Sequence, residues 1–393
     1  MPNGHAESVY LDYSATTPVD PEVVDAMEPY FSRSFGNASS IHAFGRKTKI
    51  VLEESREKIA RAIGAEPGEI FFTSGGTEAD NHALAGVVSA AKRSHGKHHL
   101  IVSSVEHHAV LRCAEYLSAN GFDVTYLPVD EYGRVDPDDV RGAIRPETAL
   151  VSVMHSNNEI GTLQPIREIA RAAHDQGVVF HSDTVQSAGK IPVDVNDLPV
   201  DLLALSAHKF YGPKGIGAIY IRKGIDIDQF IHGGAQERNR RAGTENIPLI
   251  AGFAKAIEIS RRDMEKNIAH ANELRQELQR LLSRRFESIL FNGHPVDALP
   301  SIVNISFDST KADIDGEALL LNMDLRGIAV TSGSACSSGS MEPSHVLRAI
   351  GRDLKTARAS IRFSTGKNTT MDEIRKAVDV LEEVARQSTA AAV

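Results

Sequence analysis

Tryptophan is absent from the 393 residues, and cysteine nearly so, with two. Two thiols in so long a chain exclude a disulfide framework and point to a reducing compartment. Positive charge is not in excess. Against 52 acidic residues stand 43 lysines and arginines, a formal charge of −9, which argues against nucleic acid or an anionic membrane surface as the main partner. No apolar run approaches the roughly 20 residues of a membrane helix. The opening MPNGHAESVYLDYS has no basic segment followed by an apolar one, so it does not read as a signal peptide. A soluble, cytoplasmic protein is expected. The 41% hydrophobic and 24% charged residues are ordinary for a folded chain, and the length suffices for roughly two or three domains.

Short apolar runs rich in β-branched and aromatic residues alternate with segments of helical period. Strands are expected at Glu69 to Thr73, His99 to Ser103, Asp123 to Leu127, Ala149 to Met154, Val178 to Ser182, Leu202 to Ser206 and Ala218 to Ile221. Helical stretches lie between them, at Thr77 to Lys92, Ala109 to Ala119, Asp138 to Ile144 and Ile166 to Gln176. The alternation predicts an α/β fold with a mostly parallel seven-stranded sheet and helices on both faces. From Ile250 to Arg285 the pattern is one long charged helix, followed by SIVNISF, a helix over Gly316 to Arg326, a Gly/Ser-rich loop, ARASIRFS and a last helix from Met371. A large domain over 15–260 and a smaller α/β domain over 1–14 and 261–393 are therefore expected.

Open α/β sheets bind ligands beyond the carboxyl ends of their strands. After EIFFT comes Ser74-Gly75-Gly76-Thr77-Glu78, which suits a phosphate cradle at a helix start or an ordinary glycine turn with a threonine cap. After VVFHS comes Asp183, which could hold a pyridinium proton or cap a helix, then Gln186, whose amide could bond a ring oxygen. After LLALS come His208 and Lys209, and a lysine entering a site can form a Schiff base once its pKa is lowered. In chain order, each after a buried strand, these are the parts of a pyridoxal phosphate site. The chain has no Walker loop, and GPKGIG does not fit the dinucleotide fingerprint.

The stretches SAHKFYGPKGIGAIYIRKG, HSDTVQSAGK, MHSNNEIGT, FTSGGTEADN, SVEHHAVL and GGAQERNRRAGTENI resemble the cysteine desulfurases of the NifS/IscS type, which are class V, fold-type I pyridoxal phosphate enzymes. The resemblance runs from LDYSATTP to IRFSTG. It implies a fold-type I transferase with a homodimeric site. Lys209 would bind the cofactor and move the Cα proton, Asp183 would keep the ring nitrogen protonated, and Gln186 would bond the phenolic oxygen. Gly76, Thr77, Ser206 and His208 would hold the phosphate, with Thr244 reaching it from the other subunit. His107 would stack on the ring as an acid–base group, and Asn158 would lie near the ring oxygen or the substrate. Arg362 would clamp the substrate carboxylate as a bidentate fork, supported by Asn37.

The segment TSGSACSSGSMEPSH looks like the longer cysteine loop of desulfurases that feed iron–sulfur cluster assembly. Its glycines and serines, over about 331–342, leave Cys336 on an arm able to reach a substrate or a partner. The implied activity turns L-cysteine into L-alanine and a Cys336 persulfide for an iron–sulfur scaffold or another acceptor. No resident metal is expected, since the histidines near His107 lack a ligand set of suitable spacing, although Cys336 could transiently ligate a cluster on a scaffold. Cys113, in an apparent helix, reads as structural. Gly76 stands where the family commonly has alanine. The alternatives are a selenocysteine lyase, another class V aminotransferase or lyase, and a catalytically inert sulfur relay.

Overall fold

A computed structural model describes residues 8–333 and 343–390. Its twelve strands are β1 (Val9–Tyr10), β2 (Ile70–Thr73), β3 (His99–Ser103), β4 (Asp123–Leu127), β5 (Thr148–Ser152), β6 (Val179–Asp183), β7 (Leu202–Ser206), β8 (Gly217–Ile221), β9 (Ile289–Asn292), β10 (Ile302–Phe307), β11 (Ile328–Ala329) and β12 (Ser360–Ser364). Seven form the central sheet, in the order β2-β8-β7-β6-β5-β3-β4. All neighbours in it are parallel except where β8 runs against β2 and β7. This is the mostly parallel α/β sheet that the alternation of elements implies.

Each strand of such a sheet is covered on both faces, so it is apolar nearly throughout. Successive side chains divide between the two faces of the sheet, which form one layered core. Ile101, Val151, Phe180 and Leu203 point to one face, under the helices Ala43–Ala62, Ile166–His174 and Ile247–Arg262. Leu100, Val102, Leu150 and Leu202 point to the other, under Gly76–His95 and His108–Ala119. Cys113 is buried there, and burial pushes its thiol up to about 12, which makes it inert packing.

A separate core forms around the antiparallel sheet β12-β10-β9. Val303, Ile305, Ile361 and Phe363 pack there against Leu274, Leu278 and Leu282 of the helix Met264–Arg285 and against Ile374, Val378 and Leu381 of Met371–Ala390. The amino-terminal strand joins this core, since β1 pairs with β11 and both Val9 and Leu11 are buried in it.

The expected single helix over Ile250 to Arg285 is two helices, Ile247–Arg262 and Met264–Arg285, broken at Asp263. The first buries Ile250, Phe253 and Ile257 against the large sheet, whereas the second buries its leucines in the other core. One straight helix could not serve both. Asp263 leaves helical geometry at φ −103°, ψ 6°, and its carboxylate accepts both Arg262 Nε and Nη2. Helical periodicity runs unbroken through such a corner, which is why sequence alone reads it as continuous. Among the described residues no helix is long and apolar enough to cross a membrane.

Leu278 is fully buried at the centre of the second core. Leu278→Ala should therefore lower stability by roughly 2–5 kcal/mol in denaturant unfolding. An unchanged unfolding midpoint would remove Leu278 from that core.

Candidate active site

The carboxyl ends of β3, β5, β6 and β7 open onto a cavity of about 610 Å³. Lining it are Gly76, Thr77, His107, Asn158, Asp183, Gln186, Ser206, His208, Lys209 and Arg362, so residues spread over nearly 290 positions of sequence converge. Asn37 and Thr244 do not line it. Asn37 is exposed, and its Oδ1 accepts Ser39 N at 2.8 Å, a turn of its own. Thr244 is exposed after Gly243. Cys336 lies outside the described residues, but both ends of its segment are at the rim, through Thr331, Ser332, Gly333 and His345.

Lys209 follows β7 in a short 3-10 turn, Ala207–Lys209, which turns its side chain back over the sheet end. Its Nζ donates to Ser14 O at 2.7 Å and Ala15 O at 2.9 Å. Burial and the nearby Arg362 cation lower its pKa to about 8, against the pull of Asp183 and Asp12. The amine is thus available near neutral pH, as a lysine that bonds a carbonyl carbon must be.

Asp183 ends β6, fully inside the protein. Burial raises its carboxyl to about 6, opposed by the Val185 N–H on its Oδ1 at 2.8 Å and by Lys209. A carboxylate held that high gains most from a cation or a shared proton. Below it sits Asp80, on the helix Gly76–His95, with Oδ1 buried and without a hydrogen bond, 3.5 Å from His181 Nε2. Burial, Asp183 and Glu106 drive Asp80 well upward, which favours its protonated form beside Asp183.

A second hollow of about 450 Å³ adjoins the first and shares Ala15, Gly76, Thr77, Ser206 and His208 with it. It lies at the start of the 20-residue helix Gly76–His95, where unpaired backbone N–H groups and the helix dipole favour an anion. Glu78 in the first turn would oppose one, but Arg241 pairs with both its oxygens at 2.8 and 3.1 Å. A Cβ at Gly76 would lie 2.6 Å from Val185 Cγ2, so here glycine makes room for valine. An anion cradle beside a buried carboxylate and an accessible lysine fits pyridoxal phosphate: phosphate at one end, ring nitrogen at the other, aldehyde carbon between.

His107 caps the helix His108–Ala119, with Nδ1 accepting Ala109 N at 3.1 Å. Burial and Lys209 lower its pKa to about 4, so the ring is neutral and carries its proton on Nε2. His208 is likewise neutral, lowered to about 4 by burial and Lys209, with Nδ1 3.1 Å from Thr16 Oγ1. Among the described residues no group of three or more His, Cys, Asp or Glu could hold a metal ion.

Arg362 departs from the open fork expected of it. Nη2 donates to Asp12 Oδ1 at 2.6 Å and Nη1 to Asn158 O at 2.9 Å, while Nε is buried without a partner. With Nε buried, an incoming carboxylate would have to displace Asp12 or turn the guanidinium. Asp12, Asp80 and Lys190 escape sequence reasoning as site residues, although each lies within or beside a quoted motif. Asp80 lies one helical turn after Gly76, and Lys190 follows Gln186 across consecutive tight turns.

The chain matches the family described as Aminotransferase class-V over residues 9–376. It is 52% identical over 376 residues to cysteine desulfurase IscS of Dictyoglomus turgidum, covering 96% of this chain and 94% of that one. It is 48% identical over 387 residues to the Methanosarcina thermophila protein of the same name, covering 97% and 93%. Among solved structures, a NifS-like protein superposes with a TM-score of 0.89 at 37% identity, covering 97% of this chain and all of that one. SspA in complex with cysteine superposes at 0.80 with 38% identity, over 92% of this chain and all of that one.

The lowered pKa of Lys209 has a kinetic consequence. Capture of pyridoxal phosphate by the cofactor-free protein, followed by visible absorbance, should speed up with pH and level off above about 8. A rate still climbing toward the ordinary lysine value of 10.5 would show that the amine is not depressed.

Proposed function

The chain belongs to the class-V aminotransferase family, and within it we propose that it is a pyridoxal phosphate-dependent cysteine desulfurase, releasing L-alanine from L-cysteine and passing the sulfur on. The observation that carries this is Lys209, poised between Asp183 and Arg362 in one cavity. The names of the relatives and the cysteine in the SspA structure support it.

Bound there, pyridoxal phosphate supplies an electron-withdrawing ring that makes the Cα proton of the substrate acidic and lets its C–S bond break. The chain supplies the rest. Gly76, Thr77, Ser206 and His208 hold the phosphate, joined by Thr244 of a second copy. Asp183 keeps a proton on the ring nitrogen, and Gln186 donates to the ring oxygen. Lys209 secures the aldehyde carbon and, once freed by substrate, takes the Cα proton and returns it. Arg362, with Asn158 beside it, orients the substrate carboxylate; Asn37 reaches this site only from a second copy. His107 covers the ring as a neutral donor.

Cys336, as thiolate, bonds to the substrate sulfur. The C–S electron pair stays on the carbon, which takes a proton and becomes the methyl group of alanine, and Cys336 keeps the sulfur as a persulfide. With His107 lowered to about 4 it is a weak acceptor for the thiol proton, so the proton passes instead to the substrate or to solvent. The persulfide goes to an acceptor protein, an iron–sulfur scaffold first. The same geometry would also cleave L-selenocysteine.

A homodimer is supported by the apolar side chains that the segment around Asn37 leaves in solvent, among them Phe31 at 63%, Phe35 at 67% and Ile41 at 91% exposure. The two separate cores support a large domain over 15–260 and a small one over 1–14 and 261–393. Only two cysteines in 393 residues suit a reducing compartment such as the cytoplasm.

Purified, cofactor-loaded protein should release alanine from L-cysteine. Lys209→Ala should abolish that release, and Cys336→Ala should abolish it without added thiol. Undiminished alanine from Cys336→Ala would take the thiol out of the chemistry, and no alanine from any form would sink the desulfurase reading.

A further inference from the structure

We propose that Lys190 is a positioning residue for the cofactor site, holding the Gln186 amide the one way round that leaves its donor end facing the cavity. The two ends of a glutamine amide have the same shape, so something polar must choose between them. Lys190 Nζ lies 2.8 Å from Gln186 Oε1. As an ammonium, the form it holds below about 7, Nζ only donates, and only the amide oxygen can face it. Nε2 is thereby turned the other way, where it donates to Ser14 O at 2.8 Å. That same carbonyl receives Lys209 Nζ at 2.7 Å. Gln186 and Lys209 thus share one peptide oxygen, and Lys190 holds the amide from behind. Among the described residues Ser14 O is the only acceptor for Nε2, so the second N–H of the amide is left for an acceptor in the cavity that Gln186 lines.

The backbone enforces the pairing. Thr184 O accepts Ser187 N and Ala188 N, and Ser187 O accepts Lys190 N and Ile191 N, which sets residue 190 one tight turn beyond 186. Gly189 makes the turn at φ +73°, against Phe210, where a Cβ would come within 2.7 Å of the ring. Burial, then the nearby cations Lys209 and Arg362, lower the Lys190 pKa to about 7; Asp183 and Asp12 act on Lys209 in the opposite sense. So unfavourable a place for a lysine is explained by what its ammonium orients.

The inference rests on the pyridoxal phosphate reading, in which Gln186 donates to the phenolic oxygen of the ring. That donor stabilises the oxygen as an anion. Without it the oxygen is more basic, and the nitrogen that joins Lys209 to the cofactor keeps its proton to higher pH. The experiment is a pH titration of the visible absorbance of the purified holoenzyme. Lys190→Met, which keeps length and removes the donor, should move the midpoint up by roughly one unit, the scale of one hydrogen bond. Gln186→Ala should do the same, and Lys190→Met should add almost nothing in that background. Lys190→Arg, which still donates, should keep the wild-type midpoint, and Lys190→Ala reads the same shift should methionine not be accommodated.

An unmoved midpoint in a Lys190→Met protein that keeps its absorbance band would overturn the proposal. So would an equal shift with and without Gln186, which would mean that Lys190 acts only as a charge. A wild-type protein with no visible band fails at the earlier step, the cofactor reading itself.

Discussion

The site depends on where the Lys209 amine is moored. Its two acceptors are backbone carbonyls of Ser14 and Ala15, in a segment that comes directly from the second core. That segment is tied to the large sheet by Thr17 N on His208 O and to the second core through the bridge between Asp12 and Ser364. A strand two residues long, β1, thus sets the floor of a cavity whose walls come from the large sheet and whose far side, Arg362, comes from β12. The lysine therefore reads the relative placement of the two cores.

Charge explains the composition of this cavity. Two cations, Lys209 and Arg362, face a cavity from which much water is excluded, with Lys190 behind Gln186, and burial together with these neighbouring charges lowers both lysines. Carboxylates answer them: Asp12 on Arg362, and Asp183 and Asp12 toward Lys209. Burial of Asp183 and Asp80 in turn pushes both carboxyls up. Among the described residues Arg362 Nε, Ser14 Oγ and Asp80 Oδ1 are buried without a hydrogen bond.

Much of this was legible in the sequence because strand ends are legible. The strands β3, β4 and β7 fall where the apolar runs place them, and Asp183, Ser206 and Lys209 follow from looking at what comes next. Pairings between distant segments were not legible. Nothing in the sequence says that Asp12 occupies Arg362, some 350 positions away, or that Arg241 neutralises Glu78 beside the phosphate cradle. Local geometry hides just as well. The corner at Asp263 keeps helical periodicity on both sides, and the left-handed run Glu237, Arg238 and Asn239 that precedes Thr244 has no glycine to announce it. Glu237 is held there by a buried bidentate pair with Arg56, a contact that periodicity cannot show.

The account's central claim, that Lys209 is the lysine that carries the cofactor, is tested most directly by borohydride reduction of the pyridoxal phosphate-loaded protein, followed by peptide mapping of the pyridoxyl label. The label should fall on Lys209 alone. Label on Lys190, which is paired with Gln186, or on Lys214, which lines the second hollow, would contradict it.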